Sequence, residues 1–283
     1  MRQRDVAGSG KAHRIEAEAA ALRDLGILPG NDAPPFDIVG DVHGCNDELR
    51  ALLDLLGYEP HGAGYRHPDG RRLVFVGDLV DRGPDSAAVL RTALAMRATG
   101  DALAVMGNHD DKFLRWLDGH SVRIAHGLEQ TIQQLTAQPD AARLREEVTT
   151  LFESTPGYLI LDGGNLVVTH GAIYDDLIGV WSPRVKSLGL YSDVIGMTPD
   201  GRPMRRDWGA ERDLDGPEQR PYIVYGHNPV SEPRWVNRTL DLDTGCVYGG
   251  ALSALRYPEL DLVQVRAAQT YYHHKRGGKP AST

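Results

Sequence analysis

Six side chains that commonly bind metal ions lie in five short, glycine-bordered segments of this sequence. The side chains are Asp41, His43, Asp78, Asn108, His170 and His227, within segments 40–44, 77–83, 107–110, 169–171 and 226–228. Two carboxylates, one amide oxygen and three imidazoles make a mixed oxygen and nitrogen set, which suits Mn²⁺, Fe or Zn²⁺ better than Ca²⁺ or Mg²⁺. The sequence therefore predicts a centre that holds two divalent metal ions.

The spacing of these residues predicts a hydrolytic centre. Asp41 and His43 are two residues apart on one turn and can face a single ion, while the amide and the two later histidines can complete the shell of a second. Asp78 has two carboxylate oxygens and can bridge two ions roughly 3.5–4 Å apart. A water shared by such ions becomes a nucleophile near neutral pH, because its pKa falls from about 15.7 towards roughly 7.

Three neighbouring side chains complete the predicted chemistry. Arg82 offers a planar, permanently charged fork that matches phosphate oxygens. His109 is placed to protonate the leaving oxygen, and Asp81 can hold the His109 ring through its other nitrogen. We expect in-line attack on phosphorus, with the metal ions and Arg82 stabilising the equatorial oxygens. Arg82 and Asn108 are the expected substrate contacts, and Arg184 is a candidate for a distal phosphate, although a solvated basic stretch explains it equally well.

Each feature taken alone has an ordinary structural explanation. A Gly-Asp pair after a strand is usually a turn, a lone buried histidine is usually a core residue, and Asp81 with Arg82 could form a surface ion pair of little value. The joint arrangement outweighs these explanations, because chance would have to place every segment at a strand end in this order. Cys45 and Cys246 are predicted to be small buried core residues.

The elements that must position these residues can be predicted from apolar, β-branched runs. The predicted strands are 36–39, 72–76, 102–106, 158–161, 166–169, 222–225, 234–237, 239–243, 251–256 and 260–265. Helices are predicted at 47–56, at 86–98 and from about Asp110, and 121–155 is predicted to form two helices, broken around Gln138-Pro139, that act as a cap. The early alternation indicates a parallel core sheet, and the β-rich second half indicates another sheet packed on it.

Length, charge and cysteine content limit the remaining possibilities. We expect an extension at 1–35 (a helix plus a linker), one domain at 36–268 and a polar tail at 269–283 of the 283 residues. The net charge of −8 argues against a broad surface for nonspecific nucleic-acid binding. Two cysteines, no visible signal peptide and no apolar stretch of membrane-spanning length indicate a cytoplasmic protein without a membrane partner.

The motifs together resemble those of the calcineurin-like metallophosphoesterase superfamily, in its phosphoprotein-phosphatase branch. The signatures Gly-Asp-x-His-Gly, Gly-Asp-x-x-Asp-Arg-Gly and Gly-Asn-His-[Glu/Asp] are all present, at 40–44, 77–83 and 107–110, with later histidines. The resemblance implies a mixed α/β fold of two packed β-sheets flanked by helices, a four-layer α/β/β/α sandwich. It also implies a binuclear centre in which Mn²⁺ is the favoured ion, with Fe, Ni or Zn as alternatives.

Residues 36 to about 266 are most similar to two bacterial groups within that superfamily. One is the asymmetric bis(5′-nucleosyl)-tetraphosphatase type, and the other is the phosphatase module of polynucleotide kinase-phosphatases. The segments that carry the similarity are 107–112, 200–208, 224–230 and 243–250, and the run at 200–208 favours the tetraphosphatase type. Met197 stands where a glutamate is expected, which bears on substrate preference and not on metal binding.

Three functions are compatible with this resemblance. The first is hydrolysis of nucleotide polyphosphates such as diadenosine tetraphosphate. The second is phosphatase or 2′,3′-cyclic phosphodiesterase action on RNA ends, for which the partner would be a nucleic-acid end. The third is protein Ser/Thr phosphatase activity, which is disfavoured by the sequence at 243–250. A scaffold without activity is disfavoured by the intact Asp81, Arg82 and His109.

Overall fold

The computed structural model describes residues 35–199, 201–215 and 220–273. The predicted N-terminal helix, most of the linker after it and the end of the polar tail lie outside the described residues. Within those ranges there are six α-helices, and two five-stranded sheets form the framework. No described helix combines the length and the apolar character that a membrane crossing requires.

The first sheet has the strand order β14-β13-β1-β4-β5. Its strands are β1 (Phe36–Val39), β4 (Arg72–Phe75), β5 (Ala102–Ala104), β13 (Ala251–Tyr257) and β14 (Asp261–Arg266). β1, β4 and β5 are parallel, as their alternation with helices predicts. β13 pairs antiparallel with β1, and β14 pairs antiparallel with β13. The parallel strands therefore end at one edge.

The second sheet has the order β11-β12-β10-β7-β6. Its strands are β6 (Tyr158–Leu161), β7 (Leu166–Thr169), β10 (Tyr222–Tyr225), β11 (Arg234–Val236) and β12 (Thr239–Asp241). β7, β10 and β12 run parallel to one another, so a second set of carboxyl ends is gathered at one edge. Two short hairpins, β2 (Glu59–His61) with β3 (Gly64–Arg66) and β8 (Val194–Met197) with β9 (Pro203–Arg205), lie outside both sheets.

Helices cover the outer faces of the sheets. They are α1 (Asn46–Leu56), α2 (Ser86–Ala98), α3 (Asn108–Leu117), α4 (Leu128–Thr136), α5 (Ala141–Glu153) and α6 (Pro183–Tyr191). α3 begins two residues before its predicted start, because the Asp110 carboxylate accepts a hydrogen bond from the Gly107 amide and so caps the helix. The two helices predicted within 121–155 are present as α4 and α5. Both contact α2, and their role as a cap stays a prediction.

Three apolar clusters separate the layers and confirm the predicted sandwich. Alternate residues of β1 point to opposite faces, so Ile38 packs between the sheets while Val39 packs beneath α1 and α2. Val74 and Val224 meet Ile38 in the layer between the sheets. Val185 of α6 joins the outer face of the second sheet. The order is therefore helices, sheet, sheet, helix, with the carboxyl ends of the parallel strands free to carry polar loops.

Candidate metal centre

The loops after β1, β4, β5, β7 and β10 bring the predicted ligands to one place. Donor atoms of Asp78, His170 and His227 all lie within 4.8 Å of one another, and so do those of His43, Asp78 and His109. Asp78 belongs to both groups. The structure thus places this carboxylate between the two groups, and its bridging of two ions stays a prediction.

The remaining predicted ligands join the same cluster. The side-chain oxygen of Asn108 lies 3.0 Å from His170 Nε2 and 2.8 Å from His227 Nδ1. The Asp41 carboxylate accepts a hydrogen bond of 3.2 Å from the His227 amide. All six residues predicted as ligands are therefore gathered together. Their function as ligands stays a prediction.

Backbone carbonyls orient two of the histidine rings. His43 Nδ1 lies 2.8 Å from the Val80 carbonyl, and His170 Nδ1 lies 3.0 Å from the Val76 carbonyl. A carbonyl only accepts, so each Nδ1 must donate, and each Nε2 is left as the unprotonated nitrogen facing the cluster. Such bonds fix the ring and the tautomer that metal ligation requires.

Several residues of the centre have backbone angles that L-residues seldom adopt. The φ angles are +45° at His43, +50° at Asp78 and +76° at His227. Each costs free energy that the surrounding structure must offset, and such positions cluster at functional sites. Gly226 permits the packing, since a Cβ there would lie 2.1 Å from the Asp41 carboxylate. The loops are thus built to bring backbone and acidic groups unusually close.

Burial perturbs the pKa of several acidic and histidine side chains in the centre. Burial raises the pKa of Asp78 to about 7, and burial together with Asp243 and Asp78 raises the pKa of Asp41 well above its usual range. Burial lowers the pKa of His170 to about 3. His227 Nε2 is buried without a hydrogen-bond partner among the described residues. Buried carboxylates, neutral imidazoles and an unsatisfied ring nitrogen together fit divalent metal ions, which would satisfy all three.

His109 and Asp81 form a hydrogen-bonded pair beside this cluster. His109 Nδ1 lies 2.6 Å from the Asp81 carboxylate, as predicted. Thr131 of α4 donates to the other Asp81 oxygen at 2.7 Å. Asp81 is fully buried, and burial raises its pKa to about 7. This chain of bonds aims His109 Nε2 into the site.

Arg82 lies between the two histidines at the mouth of the centre. Its guanidinium nitrogens are 2.5 Å from His43 Nε2 and 2.6 Å from His109 Nε2. The guanidinium carbon also lies 5.5 Å from the Tyr248 ring centroid and 5.9 Å from that of Tyr272. These contacts hold the arginine beside the donor group of His43, Asp78 and His109, and its binding of a phosphate stays a prediction.

The chain matches the calcineurin-like phosphoesterase family over residues 34–265. It is 46% identical over 243 residues to the asymmetrical bis(5′-nucleosyl)-tetraphosphatase PrpE of Halalkalibacterium halodurans, covering 85% of this chain and 97% of that protein. It is 45% identical over 239 residues to the protein of that name from Bacillus subtilis, covering 83% and 96%. This chain is a calcineurin-like phosphoesterase. It is accordingly a hydrolase of a family that uses divalent metal ions.

Solved structures agree with this assignment. The phosphoesterase superposes on a crystal structure provisionally assigned as a diadenosine tetraphosphatase, with a TM-score of 0.61, 25% identity, and coverage of 85% of this chain and 97% of the other. A protein serine/threonine phosphatase from Saccharomyces cerevisiae matches with a TM-score of 0.56 at 14% identity, covering 92% and 91%. The second likeness concerns the fold alone.

Three predictions about single residues have different outcomes. Cys45 and Cys246 are buried free thiols in the phosphoesterase core, as predicted. Arg184 is exposed on α6, on the side of Asp193. The pKa of Asp193 is lowered by hydrogen bonds from Tyr174 and Arg206, with Arg184 a weaker contributor. Among the described residues no hydrogen bond or ion pair joins Arg184 to the Asp78 cluster, so its substrate role stays a prediction without structural support.

Sequence reasoning missed two acidic residues of the centre. Asp243 is 3% exposed and close enough to raise the pKa of Asp41, and burial raises its own pKa to about 7. Asp110 is 1% exposed and accepts hydrogen bonds from the amides of Gly107 and Leu79, which ties two ligand loops together. Asp243 follows β12, so the strand-end position that identified the other carboxylates could have identified it too.

Proposed function

We propose that this phosphoesterase hydrolyses nucleotide polyphosphates such as diadenosine tetraphosphate, at a centre that holds two divalent ions. One observation supports the substrate above all: relatives named for this activity are up to 46% identical to the chain and are matched over 97% of their length. The site supports the chemistry, since one carboxylate belongs to both donor groups. Two buried free cysteines are in keeping with a cytoplasmic enzyme.

The proposed assignment uses the six residues that the sequence predicts as ligands, and Asp78, which belongs to both donor groups, has the central place in it. Asp41 and His43 would hold one ion, Asp78 would contact both, and the second ion would be held by Asn108 with the two later histidines, His170 and His227. Mn²⁺ is the favoured ion for a set of oxygen and imidazole ligands, with Fe, Ni or Zn as alternatives. When bound, such ions polarise a phosphoryl oxygen and supply a nucleophile at neutral pH.

In this proposal Arg82 binds the phosphate and His109 protonates the leaving oxygen. The Arg82 guanidinium, held over the centre, binds equatorial phosphate oxygens in two parallel hydrogen bonds and draws an anionic substrate despite the negative overall charge. Burial and the neighbouring Arg82 lower the pKa of His109 well below its usual range. A phosphate anion beside the ring raises that pKa again, and Asp81 stabilises the imidazolium that then protonates the leaving oxygen.

A product assay tests the proposal. The Mn²⁺-loaded protein is incubated separately with diadenosine tetraphosphate, an RNA 2′,3′-cyclic end and a phosphoserine peptide, and kcat/KM is compared. We expect AMP and ATP from the first substrate, with the highest kcat/KM of the three. The Asp78→Asn protein, purified in parallel, controls for contaminating enzymes. A higher kcat/KM on the RNA end or on the peptide would overturn the substrate assignment while leaving the phosphoesterase family intact.

A further inference from the structure

A cavity of about 460 Å³ lies between α3, α6 and the segment that leads into β6. Its lining includes Met106 and Leu114 on one side, Val185 and Leu190 on another, and Trp181. Ligand pockets of small molecules commonly have volumes of 300–1,000 Å³ and mostly apolar walls with a few polar groups. The cavity has the size and the character of such a pocket.

Each wall of this cavity is anchored to a ligand loop of the metal centre. α3 begins at Asn108, and the Met106 amide donates to the Pro156 carbonyl at 2.8 Å, which fixes the 152–158 segment. The loop that carries His170 is bonded to the end of α6, because the Gly171 amide donates to the Gly189 carbonyl at 2.6 Å. The elements that line the cavity are therefore joined directly to the loops that carry Asn108 and His170, which makes the cavity a neighbour of the centre.

The cavity offers an aromatic surface of defined orientation. The Trp181 indole stacks on the Tyr158 ring, with 4.5 Å between centroids and 16° between planes. The Tyr158 hydroxyl donates to the Val180 carbonyl at 3.1 Å, which holds the pair in place. A rigid indole that lines a cavity is suited to stacking on a flat heterocycle, and every nucleobase has such a face.

A cation lies at the edge of the cavity. The Lys186 ammonium forms an ion pair of 2.9 Å with Asp111, and its side chain is 65% exposed. An ammonium has three donors, so Lys186 can contact a phosphate oxygen while it keeps this pair. Asp111 is three residues beyond Asn108 on α3, which places this cation on the side of the cavity that faces the centre.

We infer that this cavity is the nucleoside-binding site of the enzyme, with a nucleobase stacked on Trp181 and the phosphate chain running past Lys186 towards Asp78. The inference rests on the proposed function, since it names the place where one nucleoside of a nucleotide polyphosphate binds. The neighbouring walls, the apolar lining and the cation at the edge suit an uncharged base joined to an anionic chain.

The experiment measures how much the nucleoside adds to the binding of the phosphates. Inhibition of p-nitrophenyl phosphate hydrolysis by the Mn²⁺-loaded protein is measured with AMP against inorganic phosphate, and with ATP against inorganic tripolyphosphate. At least one nucleotide should bind about tenfold more tightly than the inorganic anion with the same number of phosphates, since stacking on an aromatic ring gives gains of this order. Trp181→Ala should abolish that ratio and leave inhibition by the inorganic anions unchanged. Trp181→Phe should keep most of it.

Different outcomes would contradict the nucleoside site and the proposed function, and a second tryptophan provides a control. Trp235 is 38% exposed on β11, so Trp235→Ala should leave every inhibition constant unchanged. Ratios near one in the wild-type protein, or ratios that survive Trp181→Ala, would overturn the nucleoside site. A failure to cleave diadenosine tetraphosphate, with the Trp181-dependent ratio intact, would instead overturn the proposed function.

Discussion

Two buried aspartates four residues apart, Asp37 within β1 and Asp41 just beyond it, lie in opposite electrostatic surroundings. Asp37 is fully buried and accepts two hydrogen bonds from Arg71, at 3.0 and 3.1 Å, and one from Arg256 at 3.3 Å. Asp41 has further carboxylates as neighbours, and burial with Asp243 raises its pKa. The first charge is compensated by the protein itself, and the second is not.

The comparison of Asp37 with Asp41 distinguishes a buried charge that stabilises the fold from a buried charge that we expect to take part in a reaction. A buried carboxylate with arginine partners is a complete unit, and removal of one member leaves the others without compensation. Clustered carboxylates without a cation destabilise the protein until something positive binds, and such perturbed groups mark functional sites. β1 thus contains a structural aspartate and is followed, two residues past its end, by an aspartate that we propose as a metal ligand.

The largest effect is expected for Asp78→Asn, which removes the carboxylate shared by both donor groups. Turnover of diadenosine tetraphosphate should fall to background, while the melting temperature of the metal-free protein should stay the same or rise, because an uncompensated buried charge is gone. Steady-state kinetics and calorimetry on the two proteins test this. Retention of near-normal turnover would remove Asp78 from the bridging position.

His109→Asn should give the next largest effect, with a dependence on the leaving group. We expect kcat to fall by about 10²–10⁴ for phenyl phosphate, whose leaving phenol has a pKa of about 10 and needs a proton, and far less for p-nitrophenyl phosphate, whose leaving group is stable as the anion. Parallel kinetics with the two substrates measure the difference. Equal losses with both would mean that the ring of His109 does not act as the acid.

Asp37→Ala should lower stability and leave turnover unchanged, the reverse of the two variants above, since it removes the carboxylate that Arg71 and Arg256 contact. Unfolding free energy from urea titration should drop by about 3–5 kcal/mol, because the buried Arg71 loses its buried partner and keeps only the half-exposed Glu259. Turnover per folded molecule should not change. The matched control is Asp69→Ala at an exposed position, where a change within about 0.5 kcal/mol is expected. A loss of turnover without a loss of stability would contradict the division between the two regions.

Glu259→Gln should have the smallest effect and a defined pH dependence. Glu259 bonds Arg71 at 2.8 Å from a half-exposed position, and this bond lowers the pKa of Glu259. Because the pKa of Glu259 is lower in the folded protein than its ordinary value of 4.5, the Glu259 carboxylate stabilises the folded state at pH values above 4.5. This stabilisation is lost as the pH falls from 4.5 through the lowered pKa. The variant should lose less than about 1 kcal/mol at pH 7, and that loss should shrink in titrations as the pH falls below 4.5. An effect independent of pH would mean that the charge of Glu259 is not involved.

Most of the fold could be predicted from the sequence, because buried strands are apolar runs. The run at 36–39 became β1 with the predicted bounds. The hairpins β2–β3 and β8–β9 were missed since they are short, largely exposed and without clear alternation. α6 was also missed, although Ser182 and Pro183 are typical first residues of a helix and the Ser182 hydroxyl does accept from the Val185 amide.

The gathering of the site could be predicted from strand ends, but its fine geometry could not. Each of the six predicted ligands follows an apolar run that forms a strand, and such a position can be recognised in the sequence alone. Ring orientation depends on the carbonyls of Val76 and Val80, which every residue type offers equally. The support of Asp81 by Thr131 joins residues 50 positions apart, and no local pattern records such a contact.

The central claim is that the uncompensated cluster holds two divalent ions and that Asp78 contacts both. Metal analysis after Mn²⁺ loading and gel filtration tests it most directly, with the wild-type, Asp78→Asn and Asp37→Ala proteins compared. We predict about two ions per chain for the wild-type and Asp37→Ala proteins and fewer than about one for Asp78→Asn. Equal metal content in the wild-type and Asp78→Asn proteins would contradict the claim.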